Sequence, residues 1–140
     1  MEECIDLYRM VFEVFESLTC EDCSALDSLL SKDEHVLMIG TDPNEWWTGH
    51  DTIYRMVTAQ ASEMRNIKVI NVETKCFCEG NVGWAASRVV LKMPDGRSVP
   101  FRATGLFRQE HGIWKLMQWH NSIGITNEDA IGLNLTTRAN

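Results

Sequence analysis

Apolar residues recur at helical spacing at the start of the chain and form longer, alternating runs in its second half. Between Glu3 and Leu18 they fall at every third or fourth position, which predicts a buried amphipathic helix. A shorter apolar stripe indicates a second helix over residues 25–32, and His35–Thr41 predicts a short strand. The capping-box spacing of Thr48–Asp51 predicts a third helix that continues to about residue 64.

Four long runs rich in aliphatic and aromatic residues follow, and short turns join them. Gly80–Asn81, Met93–Gly96 and Gln109–Gly112 each supply a glycine that can adopt the left-handed backbone of a tight reversal. Long runs separated by such turns predict an antiparallel meander. The runs cover residues 67–79, 82–92, 101–108 and 113–122.

Helices that precede a long antiparallel meander predict an α+β domain, because the apolar face of the sheet needs helices to cover it. Long strands twist and coil, so we expect three N-terminal helices packed on a strongly curved antiparallel sheet, with a pocket at its open end. A chain of 140 residues fits one domain. Residues 1–126 are the expected core, and residues 127–140 are a tail that is either a short helix or disordered.

The net charge is −7, from 13 Lys plus Arg against 20 Asp plus Glu, and no stretch concentrates basic residues. This balance argues against nucleic acid as a partner. The start of the chain is acidic and no apolar run is long enough for a membrane span. We therefore expect a soluble, cytoplasmic protein without membrane contact.

Five cysteines, an odd number without an export signal, predict reduced thiols rather than disulfides. Cys20 and Cys23 can be combined with Cys76 and Cys78 into a four-thiolate zinc site, but the spacing of the second pair fits zinc poorly. Small apolar cysteines that are buried or half-buried are the favoured interpretation. We expect no metal and no other cofactor.

Four segments together resemble SnoaL-like domains of the nuclear transport factor 2-like superfamily. The resemblance covers nearly the whole chain, in order and with similar spacing. The trace of Gly112, Trp114 and His120–Ser122 is also similar to the association domain of calcium/calmodulin-dependent kinase. The four segments are Gly40–Gly49, Gly83–Arg88, Thr104–Arg108 and Gly112–Ser122.

The resemblance implies a cone-shaped fold, usually a homodimer, whose cavity serves ketosteroid isomerisation, polyketide cyclisation, dehydration or no catalysis in different relatives. We therefore expect a small anionic or aromatic ligand in the cone, with lyase, isomerase or cyclase chemistry as one interpretation. A non-catalytic dimerisation or association module is the alternative, since a fold does not determine a function. The homodimer would bury the apolar residues on the sheet face turned away from the helices.

Asp42 and His120 are the candidate catalytic residues. The resemblance places Asp42 where isomerase-like relatives carry their proton-transferring carboxylate, whereas its position before Pro43 indicates an ordinary turn residue. The second acid that such relatives carry on the strand over residues 101–107 is missing. Strict alternation would direct His120 into the cavity, as a general base or as a hydrogen-bonded structural histidine.

Six further residues are candidates for ligand binding. Arg88 lies in an apolar run at a position that resembles a cavity-lining arginine of the kinase association domain, and it would bind an anion or pair with an acid such as Glu73. Trp46 can form an aromatic lip, and two tyrosines can direct hydroxyl groups inward, with core or interface packing as the alternative. The six are Arg88, Gln118, Tyr8, Trp46, Tyr54 and Ser122.

Overall fold

The structure, a computed structural model, describes residues 1–19 and 23–139. Four helices and seven strands are found in this part of the chain. The helices are α1 (Ile5–Thr19), α2 (Ser24–Leu29), α3 (His50–Glu63) and α4 (Asn127–Ile131). The strands are β1 (Glu2–Glu3), β2 (Leu37–Ile39), β3 (Trp46–Thr48), β4 (Lys68–Glu79), β5 (Val82–Lys92), β6 (Ser98–Glu110) and β7 (Ile113–Ile123).

The strands form one sheet in the order β1-β4-β5-β6-β7-β2-β3. The predicted meander from β4 to β7 is confirmed, and every pairing within it is antiparallel. β2 runs parallel to β7, with Met38 opposite Trp119. This parallel pairing was not predicted, because the sequence indicated a purely antiparallel sheet. The short strands β1 and β3 were also not predicted. The α+β class, with N-terminal helices packed on the sheet, is confirmed.

The core lies between α1 and the inner face of the sheet. Leu7, Val14 and Phe15 of α1 are buried. The ring of Phe15 meets the indole of Trp119 edge-on, with 5.3 Å between ring centroids and an interplanar angle of 82°. Such aromatic pairs contribute about 0.5–1.5 kcal/mol beyond the burial of their area. The indole Nε1 of Trp119 donates to Asn121 Oδ1 at 2.7 Å, so its polar atom is satisfied.

Two strand glycines allow these close contacts. A Cβ atom on Gly83 would lie 2.5 Å from Leu7 Cδ1, so a larger residue there would force the Leu7 side chain to move. A Cβ atom on Gly105 would lie 3.0 Å from the rings of Phe107 and Trp119. Glycine inside a strand is typical of such close approaches.

The register of the sheet is interrupted at two places. In β7, Gln118 pairs with Leu106 while Leu116 pairs with Phe107, so Met117 is an extra residue. Leu116 and Trp119, three positions apart, therefore both face the core. In β4 the shift falls at Val72. Side chains beyond each bulge lie on the face opposite to the one that strict alternation predicts.

The helix boundaries differ in part from the prediction. The expected capping box of α3 is wrong, because the N-cap is Gly49, with φ of 86° and no side-chain hydrogen bond. His50 is buried instead, with Nδ1 3.1 Å from Asp51 Oδ1 and Nε2 3.0 Å from the carbonyl oxygen of Asp27. α2 ends at Leu29, three residues earlier than predicted.

The prediction of buried or half-buried cysteines is confirmed, because Cys4, Cys23 and Cys76 are buried and Cys78 is half-buried. Cys20 lies outside the described residues. Burial raises the pKa of Cys4 to about 11 and the pKa of Cys76 to about 12, so both thiols are protonated at neutral pH. In the described ranges no three His, Cys, Asp or Glu residues are arranged to hold a metal ion.

None of the helices within residues 1–19 and 23–139 is long and apolar enough to cross a bilayer.

Replacing Leu7 by alanine should lower the free energy of unfolding by about 2–5 kcal/mol, since it empties a fully buried site above Gly83. Ile5→Ala, on the same helix but at a side chain that is 80% exposed, is the matched control and should change stability by less than about 0.5 kcal/mol. Urea unfolding of both variants measures the difference. Equal losses would contradict this placement of α1.

Candidate functional site

The bulge at Met117 determines which candidate residues reach the interior. Leu116 and Trp119 face the helices, whereas His120 is exposed and pairs across the sheet with the exposed Thr104. The expectation that His120 faces the cavity is therefore wrong. Gln118 and Ser122, which share its side of the strand, also lie on the outer face.

A concave region on this outer face collects several polar candidates, and we name it the outer depression. It has a volume of about 420 Å³. Arg88 lies here, not in the apolar surroundings that the sequence indicated, and its side chain is 65% exposed. It forms an ion pair with Glu73, which was the alternative interpretation. The polar residues of the outer depression are Glu73, Lys75, Ser87, Arg88, Arg102, Thr104, His120 and Ser122.

Positive charge predominates in the outer depression. Arg88 is directly opposite Arg102 on the neighbouring strand, and like charges in this position repel each other. Glu73 is the acid that offsets them, and it also forms an ion pair with Lys75 at 3.4 Å. The hydrogen bond from Arg88, followed by the one from Lys75, lowers the pKa of Glu73 below its usual range.

Asp42 lies in the exposed turn that precedes β3. Its Oδ1 accepts a hydrogen bond from the backbone N–H of Asn44 at 2.8 Å, which agrees with the interpretation of Asp42 as a turn residue. A shallow region of about 440 Å³ borders Asp42, His120 and Ser122. The two catalytic candidates are thus brought to one region, but on the surface of the protein and not inside the cone.

The aromatic candidates are separated from one another. The Tyr8 hydroxyl donates to Glu3 Oε1 at 2.9 Å, and this bond raises the pKa of Tyr8. Trp46 is exposed on the edge strand β3. The ring of Tyr54 stacks on His50, with centroids 6.2 Å apart. Tyr8, Trp46 and Tyr54 do not line the interior cavity described next.

A small cavity lies between α1, α3 and the inner face of the sheet, and we name it the end cavity. Its volume is about 90 Å³. Phe15, Leu91 and Phe101 are among its apolar walls. Glu45, Gln60 and Asn121 supply side chains that can form hydrogen bonds, with threonines beside them.

Glu45 is the residue that the sequence analysis missed. Its Oε1 accepts from the backbone N–H of Asp42 at 2.9 Å, and its Oε2 accepts from Gln60 Nε2 at 3.0 Å. A Cβ atom on Gly40 would lie 2.6 Å from the carboxyl group of Glu45, so this glycine gives the side chain room to fold inward. A glycine shortly before an acidic turn is the one signal in the sequence that could have indicated this arrangement.

Asn121 also lines the end cavity. Since its Oδ1 accepts from the Trp119 indole, its amide nitrogen retains two N–H donors that have no partner among the residues described. The end cavity therefore presents a carboxylate acceptor and an amide donor between apolar walls. Such a pair can bind a hydroxyl group, which donates and accepts at once, or an amine.

A second concave region runs along the outside of α1, and we name it the α1 groove. It has a volume of about 590 Å³ and lies between α1 and the first half of β4. Phe12, Val11 and Ile70 contribute apolar surface to it, and Glu16 and Lys68 contribute opposite charges. The α1 groove shares Phe15, Thr19 and Val69 with the end cavity, so the two adjoin.

Helices on the inner face of a seven-stranded, mostly antiparallel sheet define a nuclear transport factor 2-like fold. Residues 9–126 match the family model of the SnoaL-like domain, so the chain belongs to this family. Among curated proteins, none matches the chain.

Solved structures with this fold have low sequence identity to the chain. A nuclear transport factor 2-like protein of unknown function from Pseudomonas putida superposes with a TM-score of 0.77 at 12% identity, covering 94% of each chain. A candidate ketosteroid isomerase from Parabacteroides distasonis gives 0.67 at 14%, covering 82% of this chain and 85% of the other. The association domain of the C. elegans calcium/calmodulin-dependent kinase II gives 0.66 at 13%, covering 84% and 92%. These likenesses show the fold alone.

Arg88→Gln should raise the pKa of Glu73 toward its ordinary value, because the Arg88 hydrogen bond is the main cause of the depression. Lys75→Gln is the control and should produce a smaller rise. NMR titration of the Glu73 carboxyl carbon measures both. A larger rise in the Lys75 variant would contradict the assigned pairing.

The same ion pair has a consequence for stability. Because the pKa of Glu73 is lowered in the folded state, the pair stabilises the fold above the carboxyl's unfolded-state pKa. That contribution is lost as the pH falls through the lowered folded-state value. Arg88→Gln should therefore make the acid limb of the stability profile shallower.

Proposed function

We propose that this SnoaL-like domain binds a small neutral or cationic molecule in the end cavity. The observation that supports the proposal is the pairing of the Glu45 carboxylate with the free amide donors of Asn121 between apolar walls. Within residues 1–19 and 23–139, Glu45 is the one ionisable side chain that lines the cavity. It would repel the anionic ligand expected from the sequence and attract an amine or a hydroxyl donor.

The size of the end cavity restricts its ligand. A volume of about 90 Å³ corresponds to roughly three water molecules, at about 30 Å³ each. Pockets for drug-sized molecules hold about 300–1,000 Å³, so an intact steroid or an aromatic polyketide does not fit this space. The part of the ligand that occupies the end cavity is therefore a compact alcohol or amine, and a larger ligand would have to extend into the adjoining α1 groove.

The chemistry proposed for the end cavity rests on the same two side chains. If a lyase-, isomerase- or cyclase-type reaction takes place there, Glu45 is the group that moves the proton, and Asn121 donates to the oxygen on which charge develops. Among the lining residues that the structure describes, Glu45 has no second acid or base beside it, so we propose binding as the primary function.

A panel of small amines and alcohols should raise the midpoint of thermal unfolding, with small carboxylates and steroids as the comparison sets. At about 100 times its dissociation constant a ligand adds about 2.7 kcal/mol, which in a domain of this size shifts the midpoint by roughly 5–10 °C. Glu45→Gln should remove the shift for amines. Glu63→Gln, the same change at an exposed position near the end of α3, should retain it.

No stabilisation by any amine or alcohol would contradict the proposed ligand class. Stabilisation that survives in Glu45→Gln but is lost in Glu63→Gln would contradict the location.

As a second candidate function we propose that the outer face of the sheet forms a homodimer. Ile70, Val82 and Leu106 expose aliphatic surface on this face. Two copies related by a two-fold axis would bury these side chains and bring the charged outer depressions together. Arg88 and Arg102 lie side by side, and Glu73 offsets only part of their charge. A dimer that buries this face would therefore need a further negative charge, either a bound anion or a carboxylate of the second copy.

Leu106→Glu should convert the proposed dimer into a monomer, since it buries a charge at the centre of the contact. Ile113→Glu is the matched control, because Ile113 is an exposed aliphatic residue at the hairpin between β6 and β7, away from this patch. Light scattering at micromolar concentration gives the mass of each variant. A monomeric parent protein at about 50 μM would refute the dimer, since specific interfaces of standard size hold at far lower concentrations.

A further inference from the structure

The last part of the chain leaves the body of the domain, and we name residues 124–139 the C-terminal arm. It contains the short helix α4, in which Thr126 Oγ1 accepts from the backbone N–H of Asp129 at 3.1 Å and Gly132 closes the helix with φ of 73°. No residue of α4 is buried, and every residue from Gly132 to Ala139 is exposed. The arm thus has local structure but buries no side chain of its own.

The arm nevertheless carries large aliphatic side chains. Ile125, Ile131, Leu133 and Leu135 are all exposed. Leu133 and Leu135 are two positions apart, so an extended backbone would direct both to the same side, as in a strand with one apolar face. Apolar side chains clustered on an exposed segment are typical of a surface that another molecule covers.

One edge of β4 is open and can accept an extended segment. β5 pairs with one edge of β4, whereas β1 covers the other edge only at Phe77 and Cys78, with one more backbone bond from Cys4 to Cys76. In the described part of the chain no strand pairs with the second edge over Lys68–Lys75. An open edge of this kind can accept a further strand through its main-chain groups.

The α1 groove runs beside this open edge and would receive the side chains of such a strand. It extends along α1 from Tyr8 to Thr19, which is about 16 Å at 1.5 Å per residue. An extended segment of five residues has about the same length at roughly 3.3 Å per residue, which matches residues 133–137, directly after α4 and Gly132. Glu16 in the α1 groove can also pair with Arg138 of the arm.

We propose that the C-terminal arm of one copy adds as a strand to the open edge of β4 in a second copy, with Leu133 and Leu135 in the α1 groove. A second copy is the partner because the arm buries nothing against its own body, although its aliphatic side chains gain by burial. Reciprocal exchange of two arms about a two-fold axis satisfies both edges at once. The α1 groove adjoins the end cavity through Phe15, Thr19 and Val69 but does not contain its polar side chains Glu45, Gln60 and Asn121, so the contact does not depend on the ligand proposed there.

Hydrogen exchange at the backbone amides of residues 69–74 tests the proposal. Protection of these amides at about 100 μM should be at least tenfold greater in the full chain than in a chain that ends at Ile131, because main-chain pairing protects edge amides. The shortened chain should fold, since the removed residues up to Ala139 are all exposed. Protection in the full chain should fall on dilution. Leu106→Glu should leave it unchanged, which separates this contact from the outer-face dimer.

Val72→Pro is the variant that blocks pairing at the open edge of β4. Val72 lies in the bulge of β4, so it is outside the register with β5, and its side chain is 58% exposed. Proline there removes a backbone N–H from the stretch of β4 that the arm would pair with, whereas the matched control Val72→Ala keeps it. The proline variant should lose the protection of the remaining edge amides, and the alanine variant should retain most of it.

A mixing experiment then identifies the donor of the strand. The isotopically labelled chain that ends at Ile131 has the open edge of β4 but no C-terminal arm. The unlabelled Val72→Pro chain has the C-terminal arm, but its β4 edge cannot pair. Protection of the labelled amides on mixing is the expected result. Equal protection in the full and shortened chains, no protection on mixing, or protection independent of dilution would each overturn the proposal, the last because it indicates an arm folded onto its own chain.

Discussion

The contact between Phe15 and Trp119 is the one on which most of the structure depends. It joins the longest helix to the centre of the sheet, and it needs three conditions at once. Gly83 leaves room for the Leu7 side chain of α1, Gly105 leaves room for the rings of Phe107 and Trp119, and β7 contains an extra residue so that Trp119 faces inward. The bulge at Met117 supplies the last condition. Without it, the indole would face solvent and α1 would have no aromatic partner.

The same bulge distributes the polar groups between the two faces of the sheet. By turning Trp119 inward it turns His120 outward, beside Thr104 and away from the helices. It also places Asn121 at the end cavity, where the indole N–H of Trp119 binds the side-chain oxygen and leaves the amide donors free. The packing of the core and the hydrogen-bonding character of the cavity therefore have one common cause.

The elements whose hydrophobic pattern repeats locally could be predicted from the sequence. The periodicity of α1, the alternation of the four long strands and the glycines of their turns predicted the meander and the α+β class. Met117 could not be identified, because Leu116, Met117 and Trp119 are all apolar and either register gives an acceptable pattern. The parallel pairing of β2 with β7 brings together residues about 80 positions apart, for which local patterns hold no information. Glu45 was missed because its inward direction depends on the space above Gly40.

In the turn before β3, the acid that reaches the cavity is not the one that the family resemblance indicates. The family resemblance directs attention to Asp42, but its carboxylate accepts a hydrogen bond from Asn44 within the turn and remains exposed. The turn closes with the N–H of Glu45 donating to the carbonyl of Asp42, and Glu45 is the acid that reaches the cavity. A carboxylate at the end cavity is thus available three residues later than the resemblance implies, and no second acid lines the cavity in the described part of the chain. The residues that line the cavity, rather than the shared fold, therefore determine whether this member of the family only binds a ligand or also catalyses a reaction.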